Sequence, residues 1–174
     1  MQQQRGFTLI ELIIVIVILG ILAVTAAPKF IDIQGDASAS SLQGVKAALR
    51  SGSQLVYAKA AIAGKQKNAT GGTPDALSQV DIGSNTVELD FGYPKATGTD
   101  FTDINFWIDL SSSDFVLAVG TGAVSTALPP LGSFGFALVG SSPAYDSATS
   151  CHVLYTEAND ADTPPVITVV TDNC

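Results

Sequence analysis

Residues Phe7 to Ala27 form one apolar block, and that block limits what the chain can fold into. As a helix at 1.5 Å per residue it covers roughly 30 Å, the thickness of a bilayer's hydrocarbon core. A soluble core rarely needs a helix of that length that is apolar on every side. Three readings compete. A cleavable secretory signal has a basic start, a short apolar run and a small-residue cleavage site. Arg5 supplies the charge, but Val24-Thr25-Ala26-Ala27 runs directly into Pro28. A buried helix of a soluble protein is disfavoured by length. A plain membrane anchor fits the length but leaves Glu11 unexplained.

Glu11 is the informative residue. A charged side chain within an apolar membrane helix costs about 2.5–3.5 kcal/mol on insertion scales, so it usually has a partner. With Arg5 set aside, no lysine or arginine lies within a turn or two of it. Cleavage after Gly6 would create an α-amino group at Phe7, four residues before Glu11. That amine could neutralise its own Glu11 or that of a neighbouring molecule in an assembly. The alternative is an acid held protonated in the membrane or reaching to the interface. Physical chemistry alone leaves both open.

The string Arg5-Gly6-Phe7-Thr8-Leu9-Ile10-Glu11-Leu12 resembles the processing site of type IV prepilins and pseudopilins. The resemblance implies that a prepilin peptidase of the inner membrane cuts between Gly6 and Phe7 and methylates the Phe7 amine. It implies that Phe7 and Glu11 are the assembly pair, joined between adjoining subunits. The six-residue leader and the Phe start resemble the a subclass of type IV pilins more than the b subclass, whose leaders are longer. Pro28 removes a backbone donor and crowds the carbonyl of Val24, so a kink or local break is expected there, with Gly20 a second weak point. The resemblance implies that the stretch between Gly20 and Pro28 can lose helicity inside a filament.

Beyond Pro28 the pattern becomes amphipathic. Phe30, Ile33, Ala37, Val45, Leu49, Gly52, Val56, Ala60 and Ala63 recur every three or four residues, with Leu42 close to the same face. One face packs and the other is wet, and Gly64 supplies a stop. The helix is therefore expected over about 7–63. Thr70-Gly71-Gly72-Thr73-Pro74 is a loop signal. Strand-like runs follow at Thr86–Phe91, Phe106–Leu110, Phe115–Val119, Phe134–Val139, Cys151–Thr156 and Val166–Thr171. The expected fold is α+β, a long N-terminal helix packed on a C-terminal antiparallel sheet.

Cys151 and Cys174 stand close to the C-terminus. With an export signal at the other end, they read as a disulfide formed in an oxidising compartment. Closing that loop is worth roughly 3 kcal/mol in chain entropy. Two free thiols of a cytosolic protein are the alternative. By the pilin resemblance these cysteines bracket a D-region, 151–174, within a head of 65–174 whose first part, 65–103, is the αβ-loop. Residues 1–6 are then the leader, 7–28 the transmembrane and assembly helix, and 29–64 the amphipathic half. Val56-Tyr57-Ala58-Lys59-Ala60-Ala61-Ile62, Phe91-Gly92-Tyr93-Pro94 and Ser41-Leu42-Gln43-Gly44 resemble mannose-sensitive haemagglutinin pilins of marine and Vibrio-like Gram-negative bacteria.

Sixteen acids against eight bases give a net charge of −8, which repels phosphate backbones and makes nucleic acid a poor partner. His152 is the sole histidine and reads as an ordinary strand residue; alone it makes no typical zinc site. No nucleophile–base–acid set assembles around it, no phosphate-cradling glycine loop is present, and no cofactor or metal is expected. Asp100, Asp103, Asp109 and Asp114, and then Asp146, Glu157, Asp160 and Asp162, cluster in sequence without EF-hand spacing. They read as a solvated acidic surface rather than a calcium loop. The function that fits is a non-enzymatic filament subunit for surface attachment and biofilm formation. It would be held in the inner membrane before the pilus assembly machinery polymerises it. Its partners would be further copies and an unidentified surface receptor, a glycan among the candidates. A type II secretion pseudopilin or minor pilin is the nearer alternative, and a membrane-tethered binding protein or enzyme the more distant one.

Overall fold

A computed structural model describes residues 6–68, 78–96, 99–121, 128–141, 144–145 and 150–174, with the backbone alone over 26–32. The chain divides into two compact units, Met1–Ala37 and Ser38–Cys174. Both contain part of α1, Leu9–Ile62. The backbone is helical through Gly20 and Pro28, so neither interrupts α1 in the single chain. The side chains of Pro28 and Phe30 lie outside the described residues.

In the C-terminal unit α1 buries Leu42, Val45, Leu49, Val56 and Ala60, positions spaced to fall on one helical face. Among the described side chains, burial of that face begins at Leu42: Ile33 is 59% exposed and Ala37 is exposed. Both lie in the N-terminal unit, outside the core of the head. At the other end Ile62 and Ala63 are exposed, and the chain turns on Gly64 at φ 70°, a left-handed position that favours glycine. The Gly64 and Lys65 amides donate back to Ala61 O and Ala60 O, capping the last turn.

Within 65–103, where the sequence predicts one strand at Thr86–Phe91, the chain forms a three-stranded antiparallel sheet of β1, Gln79–Ile82, β2, Asn85–Asp90, and β3, Tyr93–Pro94. The signal at 70–74 lies outside the described residues. Phe91 and Gly92, both at positive φ, make the tight turn between β2 and β3. Strand formation expected at Phe106–Leu110 does not occur. Asp100 and Asp103 exchange side-chain and backbone hydrogen bonds of 2.9 and 3.0 Å, a capping box that starts α2, Phe101–Ile104. Asn105 then takes both backbone groups of Leu110 at 3.1 Å, doing for that residue what a neighbouring strand would. The intervening loop places Trp107 and Ile108 against α1 at Gly52. A Cβ on Gly52 would lie 2.5 Å from Ile108 Cγ2 and 2.8 Å from the Trp107 carbonyl.

The main sheet is β4, Phe115–Val119, β5, Ser133–Leu138, β6, Cys151–Thr156, and β7, Val166–Thr171, all antiparallel in that order. Its Phe134, Phe136, Val153 and Tyr155 join the α1 residues and Val87, Leu89, Ile104, Trp107 and Ile108 in one core. Phe134 and Tyr155 stack at 4.7 Å. Two polar links tie the small sheet's exit to the main sheet: Tyr155 Oη donates to Pro94 O at 2.8 Å, and Ala96 N–H donates to Glu157 Oε2 at 2.6 Å. Burial pushes the Tyr155 phenol well above its ordinary pKa, with the Glu157 charge adding to the effect, so it stays a donor.

His152, 2% exposed, sits in β6 beside Tyr145, ring centroids 4.9 Å apart. Its Nδ1 is buried with no hydrogen-bond partner among the described residues. Burial therefore holds its pKa below the usual value.

Two outcomes follow from this packing. Gly52→Val should lower unfolding stability by about 1–3 kcal/mol, read by urea titration, because the Trp107–Ile108 backbone cannot retreat without losing its core contacts. His152 contributes its full stability above about pH 6.5, and loses it as pH falls below that value toward the lower folded pKa. Melting curves between pH 7.5 and 5 should therefore fall more steeply for the wild type than for His152→Leu, by at most about 1.4 kcal/mol per pH unit.

Candidate functional site

The described chain enters at Gly6, where a Cβ would meet nothing within 4 Å. Phe7 follows, 92% exposed, so the peptide bond between them is open on both sides. Neither residue is helical. Thr8 is the N-cap, its carbonyl accepting the first intrahelical bond from Leu12 N–H at 3.3 Å, and α1 begins at Leu9 rather than at Phe7. Helix starts here because Thr8 and Glu11 form a capping box. Thr8 N–H and Thr8 Oγ1 donate to Glu11 Oε2 at 2.8 and 2.7 Å, while Glu11 N–H donates to Thr8 Oγ1 at 3.4 Å.

This arrangement corrects the expectation that Glu11 lacks a partner until cleavage supplies one. Thr8 is the partner, and it satisfies one carboxylate oxygen within the uncleaved chain. The signal is present in the sequence as Thr-x-x-Glu ahead of an apolar run, the pattern of a capping box, whose donors to the carboxylate are neutral rather than cationic. Hydrogen bonds from a hydroxyl and an amide do not cancel the charge, however. Oε1 accepts no hydrogen bond among the described residues and remains open to a cation from elsewhere.

Along the same helix every described large apolar side chain from Leu9 to Val24 is between 45% and 76% exposed. No single face is favoured. Covering any one of these side chains with an apolar neighbour is worth about 1.5–3 kcal/mol, so the segment as a whole calls for lipid or further copies. Among the described residues no helix is long and apolar enough to cross a membrane. The expected span over 7–28 runs into the residues whose side chains lie outside the description.

At the opposite end of the sequence Cys151 and Cys174 are joined, Cα atoms 4.9 Å apart. Cys151 opens β6 opposite Thr171 of β7, and Cys174 follows a turn beyond β7, so the bond closes the mouth of the β6–β7 hairpin. Within that hairpin's loop Asp160 bridges Thr163 and accepts from Asp162 N–H at 2.9 Å. Those hydrogen bonds, the Thr163 side chain's first, hold its pKa below the usual value. Asp100 and Asp103 are likewise occupied in their own capping box. No group of three metal-ligating side chains converges among the described residues, and Asp146 lies outside them.

Residues 1–27 match the family described as the prokaryotic N-terminal methylation motif. The type IV narrow pilus major component PilA5 of Thermus thermophilus is 51% identical over 47 residues, which cover 27% of this chain and 40% of that protein. Fimbrial protein Q of Moraxella bovis is 36% identical over 110 residues, covering 56% of this chain and 70% of that protein. The chain thus spans less than half the length of the first relative and over two thirds of the second. No solved structure matches. With the methylation motif on the capped apolar helix, and a fimbrial protein 36% identical and covered over 70% of its length, the chain belongs to the type IV pilin family.

Proposed function

We propose that this pilin is a structural subunit of a type IV pilus that mediates surface attachment and biofilm formation in a Gram-negative bacterium. The observation that carries the reading is the all-round exposed apolar helix, capped by Thr8 and Glu11, that follows directly on the open Gly6–Phe7 bond. Prepilin peptidase removes residues 1–6 and methylates Phe7. Until then the segment 7–28 sits in the inner membrane; the assembly machinery afterwards transfers it from lipid to the centre of a homopolymer, outside the cell. Residues 29–64 serve the head of 65–174, with its αβ-loop at 65–103 and D-region at 151–174. In the filament the free oxygen of Glu11 takes the Phe7 amine of an adjoining subunit, and Gly20 to Pro28 supplies the stretch that can unwind. The segments around Val56–Ile62 and Phe91–Pro94 favour the mannose-sensitive haemagglutinin subgroup.

A subunit of this kind needs no catalytic group, cofactor or metal. The pseudopilin and minor-pilin readings share the N-terminal helix. The Cys151–Cys174 bond and the similarity to pilus and fimbrial proteins favour the surface filament.

Gly6→Leu should leave the precursor at full length on a gel and the cells without filaments; mature-length protein from this variant would reject the cleavage site. Glu11→Val should still insert into the membrane and be cleaved, yet yield few or no filaments by electron microscopy of sheared cells. Abundant filaments from Glu11→Val alone, with no wild-type subunit present, would remove the charge-pairing role.

A further inference from the structure

A groove of about 250 Å³ in the C-terminal unit is lined by Lys46, Arg50 and Gln54 of α1, by Tyr93 of β3, and by Pro164 and Pro165 ahead of β7. The three α1 residues stand four apart and share one helical face. Two of the chain's eight basic side chains are therefore neighbours, although like charges at this spacing repel by a few tenths of a kcal/mol. Acids outnumber bases two to one, sixteen to eight, yet neither Lys46 nor Arg50 has an ion-pair partner among the described residues. Lys46 is half-buried while Arg50 and Gln54 are exposed, so both cations can meet a ligand that enters from solvent.

The remaining lining is of a different kind. Tyr93 stacks on Tyr57, ring centroids 4.4 Å apart and planes 20° apart, which fixes its ring at the groove. Together with the two prolines it offers rigid CH and aromatic surface at little entropic cost. A neighbouring pair of cations beside such a surface, with an amide to serve hydroxyl groups, matches one ligand chemistry well. A guanidinium fork holds a carboxylate through two parallel hydrogen bonds. The CH face of a pyranose ring packs on an aromatic ring or proline, and Gln54 can both donate to and accept from ring hydroxyls.

We propose that this groove binds a uronic-acid residue of an anionic polysaccharide, its carboxylate at Arg50 and Lys46 and its ring against Tyr93 and the Pro164–Pro165 edge. A nucleic acid draws on many phosphate contacts along its length, whereas this groove offers two cations, enough for one or two carboxylates. The proposal deepens the surface-attachment reading by naming a ligand class, and it rests on that reading for its biological setting.

The binding itself is measured on the purified mature full-length chain in detergent micelles, independently of filament formation. A galacturonate hexasaccharide should bind in a calorimetric titration, with affinity that falls as salt rises. A neutral glucan of the same length should not bind. Arg50→Gln should weaken the uronate about tenfold, the loss of one charge-assisted contact, and Lys46→Gln with Arg50→Gln should weaken it further. Arg50 is exposed and Lys46 only half-buried, and an unchanged melting temperature with Cys151–Cys174 intact shows that the variants fold. Equal affinity of the wild type and Arg50→Gln would overturn the proposal, as would equal binding of the neutral glucan or preference for single-stranded DNA of the same charge. Normal filaments from Arg50→Gln with lost uronate binding would place the defect in the groove. Failure of the Gly6 or Glu11 experiments would leave the titration result standing.

Discussion

One helix, α1, has to satisfy two unlike surroundings with one backbone. Up to Val24 its apolar side chains are exposed on every side, and from Leu42 onward only one face is buried. Water can solvate the second arrangement but penalises the first. The later half can therefore serve as the spine of a head whose core gathers Leu49, Val56, Phe134 and Tyr155. The earlier half acquires a stable environment only from lipid or from other chains. Most of the remaining design answers this division: the cap at the helix start, the glycine that lets a loop close on the helix, and the covalent closure of the last hairpin.

The cap shows how economical the start of the helix is. Thr8 satisfies backbone and side-chain needs with one hydroxyl and one amide, and it occupies one oxygen of Glu11 while leaving the other uncommitted. A carboxylate in that condition is oriented without being neutralised. Its direction is set by the helix before any partner arrives, which lowers the entropy lost when one does.

Much of the fold was legible because it rests on periodicity. The apolar block, the amphipathic second half, the stop at Gly64 and the strands near 86–91, 115–119, 134–139, 151–156 and 166–171 all follow from spacing and turn residues. The features that escaped notice depend on contacts distant in sequence or on side chains standing in for backbone. Phe106–Leu110 has the composition of a strand, but Asn105 satisfies Leu110 locally and the Asp100–Asp103 box begins a helical turn just before it. Gln79–Ile82 is short and polar, and is a strand only because β2 pairs with it. Phe30, Ile33 and Ala37 continue the helical pattern faithfully, yet the period does not say where the head begins. At the N-terminal site, Gly6, Phe7 and Glu11 stand out by residue type and spacing, whereas the hydrogen bonds from Thr8 emerge only when neutral donors to the carboxylate are considered.

The bond between Cys151 and Cys174 has a consequence for survival outside the cell. It ties the turn that follows β7 to the first residue of β6, so β7 is joined to β6 covalently at its far end as well as through the hairpin loop. An endopeptidase that cut anywhere in the stretch between Thr156 and Val166 would produce two pieces still joined by sulfur, and both strands would keep their register in the sheet. Proteolytic damage to the hairpin tip would therefore alter what that tip presents without releasing any part of the subunit.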